Sequence, residues 1–287
     1  MNLRTLVSAN ELAAMQAQRA VLVVDCRFDL ADPGKGERDS VDGHIPGSVY
    51  ANLDRDLSDL SQRGVGRHPL PNDDGFSASL ARWGWLPGSA VVAVDDAGGA
   101  LAAARLWWLL RLAGCADVAV LDGGLNAWRD AGFEFERGVA KRDATNVSVR
   151  VGRDGVAGFD EIERRRNDGS MVLIDARAAP RYRGDLEPLD PVAGHVPGAV
   201  NRPFSMNLDA SGRFRPALDL RNEFQRLIGN HDARDVVHMC GSGVTACHNL
   251  LAMEHAGLDG SRLFAPSWSG WVSDRSRPAE TGSPGEN

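Results

Sequence analysis

Short runs of consecutive apolar residues, each ending in or beside a charge, alternate in this chain with longer stretches of helical composition. VLVVD (Val21 to Asp25), AVVAVD (Ala90 to Asp95), VAVLD (Val118 to Asp122) and MVLID (Met171 to Asp175) are of the first kind. GALAAARLWWLLRLAG (Gly99 to Gly114) is of the second, with Gly114 as its stop. Runs without polar alternation predict strands buried on both faces, and strands separated by helices predict a parallel sheet. The expected class is α/β. SANE (Ser8 to Glu11) reads as a capping box, so the first helix is expected almost at the start of the chain.

The pattern occurs twice. VLVVDCR matches MVLIDAR, GHIPGSV (Gly43 to Val49) matches GHVPGAV (Gly194 to Val200), and VLDGGLNAW (Val120 to Trp128) matches LFAPSWSGW (Leu263 to Trp271). Between the last two pairs, AVVAVDDAGGALAAARL matches DVVHMCGSGVTACHNL (Asp235 to Leu250) as apolar run, small-residue turn and helix. The order is the same in both halves and the offsets run from 143 to 151 positions. Two copies of one domain are expected: residues 1–138, a linker at 139–154 within the polar stretch from Glu136 to Gly155, and residues 155–287.

Charge and composition narrow the function. The 287-residue chain has a net charge of −7, which argues against a nucleic-acid partner, and no apolar run approaches a membrane span. MNLRTLVSANELAAMQ has no long apolar region and no A-x-A site, so a signal peptide is not expected. The four cysteines form no CxxC and no Cys/His cluster, so neither a metal site nor a disulfide framework is expected. A cytoplasmic location with reduced thiols follows.

The candidate chemistry lies in HMCGSGVTAC (His238 to Cys247). Cys240 closes an apolar strand and opens a glycine-rich loop that leads into a helix. In a parallel sheet this is the end where ligands bind. Gly241, Ser242, Gly243, Val244 and Thr245 can curl so that backbone N–H groups face inward, backed by the positive end of the helix. An anion there is stabilised, whether a cysteine thiolate or a second sulfur carried on it. A buried structural cysteine is the competing reading. The repeat speaks against it, because Asp95 stands opposite Cys240: one copy keeps a nucleophile and the other a carboxylate. Cysteine phosphatases use a similar cradle with an arginine six positions on, where this chain has Ala246.

The Asp-x-Arg strand ends (Asp25/Arg27 and Asp175/Arg177), both GH[IV]PG[SA] motifs, CGSGVTA and SWSGW together resemble the two-domain rhodanese-type sulfurtransferases, over nearly the whole chain. SWSGW departs from that pattern at Pro266, where glycine is usual, and at Gly270, where an acidic residue is usual. The resemblance implies two tandem rhodanese-like domains, the first catalytically inactive. It also implies that a small anionic donor passes sulfur to Cys240 as a persulfide. A thiol, cyanide or a thioredoxin-like protein then accepts it, and no cofactor is needed. CGSGVTA is similar to the 3-mercaptopyruvate-using branch, in which a loop hydroxyl, a histidine and an aspartate form a proton relay. The matching residues are Ser242, His68 and Asp54, with Asp56 as an alternative to Asp54. For the donor carboxylate, Arg181 matches one of that branch's two arginines. The second position falls on Asp190, an acidic residue of the thiosulfate type, so Arg183 or Arg177 would have to compensate. Arg177 also reads as a structural strand-end residue, like Arg27. Thiosulfate as donor, a sulfur carrier and a non-catalytic binding module stand as alternatives. Cys26 and Cys115 read as core thiols. Cys247 reads as an inert helix thiol or a disulfide partner. Trp268 and Trp271 read as core or cleft residues.

Overall fold

A computed structural model describes residues 3–18, 21–166 and 168–282. The outermost residues of both expected domains, 1–2 and 283–287, lie outside them. The described chain divides into two compact units. The first comprises Met1–Asp59, Leu70–Gly152 and Asp209–Phe214; the second comprises Leu60–Pro69, Arg153–Leu208 and Arg215–Asn287.

In the first unit β1 (Leu6–Val7) leads into α1 (Ala9–Gln18), β2 (Val21–Asp25), α2 (Lys35–Asp42) and β3 (Val49–Tyr50). Then follow α3 (Leu53–Asp56), α4 (Asp73–Arg82), β4 (Ala90–Val94), α5 (Ala103–Leu112), β5 (Val118–Leu121) and α6 (Gly124–Asp130). The sheet is parallel throughout, in the order β1-β5-β4-β2-β3. Every residue of β2, β4 and β5 is buried, as their unbroken apolar runs require. The capping box forms: Ser8 N–H and Oγ donate to Glu11, and Glu11 N–H returns to Ser8 Oγ.

The second unit holds α7 (Phe159–Arg165), β6 (Val172–Asp175), α8 (Ala179–Arg183), β7 (Val200–Asn201), α9 (Ala217–Ile228), β8 (Val236–Met239), α10 (Ala246–His255), β9 (Arg262–Leu263) and α11 (Ser267–Trp271). Its parallel sheet runs β7-β6-β8-β9. Trp268 and Trp271 are fully buried with Phe264 and Met239 in its core, not exposed in a cleft.

One device recurs in both units. Arg27 donates to both oxygens of Asp25 and to the Gly43 carbonyl; Arg177 does the same with Asp175 and the Gly194 carbonyl. This ties the Asp-x-Arg strand end to the GHxPG turn and gives Arg177 the structural part. The polar stretch after residue 138 is bound along the first unit. Val149 N–H donates to Ser77 Oγ, Val151 N–H to Asp73 and Gly152 N–H to the Leu112 carbonyl, while both valines are buried. Among the described residues, no helix is long and apolar enough to cross a membrane.

Candidate active site

Cys240 follows β8, an inner strand of its sheet, and its side chain is buried. Three hydrogen bonds fix it. Its N–H donates to Ser267 Oγ at 3.1 Å, its carbonyl accepts from Trp268 N–H at 3.0 Å, and its Sγ accepts from Gly243 N–H at 3.2 Å. Ser267 adopts φ +50°, and it is the one non-glycine residue described with a positive φ. Its hydroxyl also donates to the Phe264 carbonyl. A residue held in this sparsely populated region is over-determined by its surroundings; here that conformation brings its oxygen to the cysteine's backbone.

The N–H groups of Ser242, Val244 and Thr245 have no acceptor among the described residues. Gly243, at φ +74°, curls the loop, and a Cβ there would lie 2.4 Å from the Ala265 carbonyl oxygen. Thr245 then leads into α10 without a side-chain cap. Backbone N–H donors left without an acceptor at a helix start suit an anion.

The corresponding loop of the first unit has its anion built in. Asp95 follows β4 and its carboxylate accepts N–H bonds from Ala97, Gly99, Leu101 and Ala103. Burial outweighs these donors and pushes its carboxyl up to about 6.

His68 and Ser242 are 174 positions apart, yet both are buried and the His68 Nδ1 lies 2.8 Å from Ser242 Oγ. The second unit includes Leu60–Pro69, so this pair lies within one compact unit. The segment docks on the turn into α11. Arg67 N–H donates to Ser269 Oγ at 3.0 Å, and Ser269 N–H donates to the Gly241 carbonyl at 2.9 Å. A Cβ on Gly66 would meet the Pro266 carbonyl oxygen at 2.5 Å, and one on Gly270 would meet Gly66 N at 3.0 Å. The glycine at 270, a departure from the family pattern, therefore leaves room for this segment. Asp54 lies in α3 of the first unit, in the helical turn capped by Asn52. Asp56 is buried and bound to Arg82, Arg55 and the Asn52 N–H, which gives it a structural part.

Arg181, in the middle of α8, donates to Glu187 at 2.6 Å and to Asp190 at 3.3 Å. Arg183 turns to Asp185 in an exposed pair. The residue that accompanies Arg181 is Arg67, which also donates to Asp190. Sequence reasoning passed over Arg67, although it precedes His68. Burial pushes the Asp190 carboxyl up, against the pull of Arg67 and Arg181. Glu187 is pushed up by burial too, but Arg181 and the N–H groups of Leu189 and Asp190 bring it below its ordinary value.

All four cysteines are free and buried. Burial raises the Cys26 and Cys115 thiols, which fits inert core residues. Cys247 Sγ donates to the Gly243 carbonyl at 3.4 Å, inside the helix start.

The family model for the rhodanese-like domain matches residues 8–131 and 159–274. A probable 3-mercaptopyruvate sulfurtransferase of Pseudomonas aeruginosa is 43% identical over 279 residues, 96% of this chain and 98% of that protein. A putative thiosulfate sulfurtransferase of Mycobacterium tuberculosis is 40% identical over 282 residues, 97% of this chain and 98% of that protein. The solved 3-mercaptopyruvate sulfurtransferase from Leishmania major superposes with a TM-score of 0.82 at 30% identity, covering 94% of this chain and 74% of that one. With two α/β copies, a cysteine-centred loop in the second and a carboxylate in its place in the first, the chain belongs to the rhodanese-like sulfurtransferases.

Proposed function

We propose that the chain transfers sulfur from 3-mercaptopyruvate to a thiophilic acceptor through a persulfide on Cys240. The observation that carries this reading is the 2.8 Å contact between His68 and Ser242, two residues from the nucleophile. The Cys240 thiolate attacks the donor sulfur, an S–S bond forms and the donor C–S bond breaks. Its electron pair leaves on carbon as the enolate of pyruvate, which needs one proton to become pyruvate. A hydroxyl backed by an imidazole beside the cysteine is suited to deliver it. Ser242 gives its proton to the enolate carbon and recovers one from His68. Thiosulfate leaves as sulfite and needs no such proton on carbon, so the relay favours the carbon-based donor. The outer sulfur then passes to cyanide, a thiol or a thioredoxin-like protein, and Cys240 returns as thiolate. The loop N–H groups stabilise the sulfur anion in both half-reactions. Asp54, in the first unit, enters the proposal through the resemblance alone. The four free thiols support a reducing compartment such as the cytoplasm.

The test is thiocyanate formation from cyanide with 3-mercaptopyruvate and with thiosulfate. The expected result is a higher kcat/KM for mercaptopyruvate and loss of transfer from both donors in Cys240→Ser. Ser242→Ala should lower kcat with mercaptopyruvate by about 100-fold, the scale of general acid catalysis, and change thiosulfate turnover by only a few-fold. A clear advantage for thiosulfate in the native protein would overturn the donor assignment. Full transfer by Cys240→Ser would overturn the mechanism.

A further inference from the structure

We infer that Arg67 is a second donor-binding arginine, acting beside Arg181 to hold the carboxylate of the sulfur donor next to Cys240. The inference rests on the reading of the site as one for an anionic 2-oxo acid donor, and deepens it. Its ground is the surroundings of Gly241, the residue after the nucleophile. A methyl group built on Gly241 would lie 3.0 Å from Arg67 Nη2 and 3.3 Å from Arg181 Nη1. Two guanidinium edges therefore converge on one small volume, which the glycine leaves unfilled.

The nitrogens at that volume are the ones with free hydrogens. Asp190 takes Arg67 through Nη1, while Glu187 and Asp190 take Arg181 through Nη2. Arg67 Nη2 and Arg181 Nη1 have no acceptor among the described residues. The Nε atoms of both arginines are also buried without a partner. Each side chain is thus gripped on one edge by a buried carboxylate and presents donors on another. A planar fork held this way loses little freedom when a carboxylate arrives. Asp190 is 4% exposed and holds both arginines at once, so it acts as their brace. The side chains of Arg67 and Arg181 are 27% and 18% exposed, open enough for a ligand to reach.

The test reads the charge around Cys240 without relying on any sulfur donor. Alkylation of Cys240 by anionic iodoacetate and by neutral iodoacetamide is followed on the Cys240 peptide by mass spectrometry. In Arg67→Met the iodoacetate rate should fall about tenfold relative to iodoacetamide, the scale of one charge-assisted hydrogen bond. Arg67→Lys should recover part of the ratio. The KM for 3-mercaptopyruvate should rise by a similar factor in Arg67→Met, with kcat changed less. An unchanged alkylation ratio and KM would overturn the inference and leave Arg67 as a tether for its segment. If the ratio falls as stated but the native protein does not turn over mercaptopyruvate, the anion site stands and the donor assignment falls. If Arg67→Met slows both reagents equally, its effect is on the fold, and a native-like ratio in Arg67→Lys and Arg67→Gln alike would then refute the charge role.

Discussion

Gly270 sets local propensity against contact. It lies inside α11, where alanine is ordinarily better than glycine by about 1 kcal/mol. Yet its missing Cβ is the space taken by Gly66 N and by Pro266 Cβ, the latter at 2.5 Å. Gly270→Ala should therefore destabilise the protein by about 1–3 kcal/mol in urea unfolding, and should lower mercaptopyruvate turnover by displacing His68. A stabilised variant would mean that propensity prevails and the segment docks loosely. Cys240, Ser242 and His68 were legible in the sequence as candidates because the loop motif and the resemblance named them. Arg67 was not, because its significance is a contact with Asp190 made 123 positions away, which no local pattern records. Asp190 itself was legible only as an anomaly, an acid where a second arginine was expected.

The loops after β4 and β8 show how one strand–turn–helix element serves two ends. In the first unit the loop closes on the carboxylate of Asp95; in the second the corresponding position holds the Cys240 sulfur, which accepts the Gly243 N–H. The raised carboxyl of Asp95 has a consequence for stability. Between its ordinary value of 3.8 and about 6 the folded state holds a proton that the unfolded state has lost. This favours folding below that range and is lost as pH rises through about 6. Urea unfolding of the native protein and of Asp95→Asn, which cannot titrate, should show the native protein losing ground to the variant between pH 4 and 7. The relative loss should amount to about 3 kcal/mol at most. Parallel curves would mean that Asp95 titrates alike in both states. The long apolar runs of β2, β4, β5, β6 and β8 were readable from the chain. The two-residue strands β1, β3, β7 and β9 were not, since pairing with a neighbour alone makes them strands.

The whole chain follows the twofold repeat, but its compact units do not divide it at the polar stretch alone. Residues 60–69 belong to the second unit and residues 209–214 to the first. Phe214 N–H, for example, donates to Asp122 at 2.8 Å. No periodicity marks such an exchange, because both segments are short, polar and free of regular structure. A fragment of residues 155–287 should therefore be less stable than the intact protein. It should lack mercaptopyruvate turnover, having Cys240 and Ser242 but neither His68 nor Arg67. Urea unfolding and the thiocyanate assay check this, and native-like turnover by the fragment would show that the 60–69 segment is dispensable.

The docking of Arg67 onto Ser269 also has a meaning in time. The two residues are 202 positions apart in the chain. At roughly 5–20 residues per second of synthesis, the histidine segment waits about 10–40 s for the surface that holds it. For most of that interval, until residue 240 is added, the growing chain has His68 but not Cys240. A chain interrupted before residue 269 lacks the surface on which the His68 segment docks.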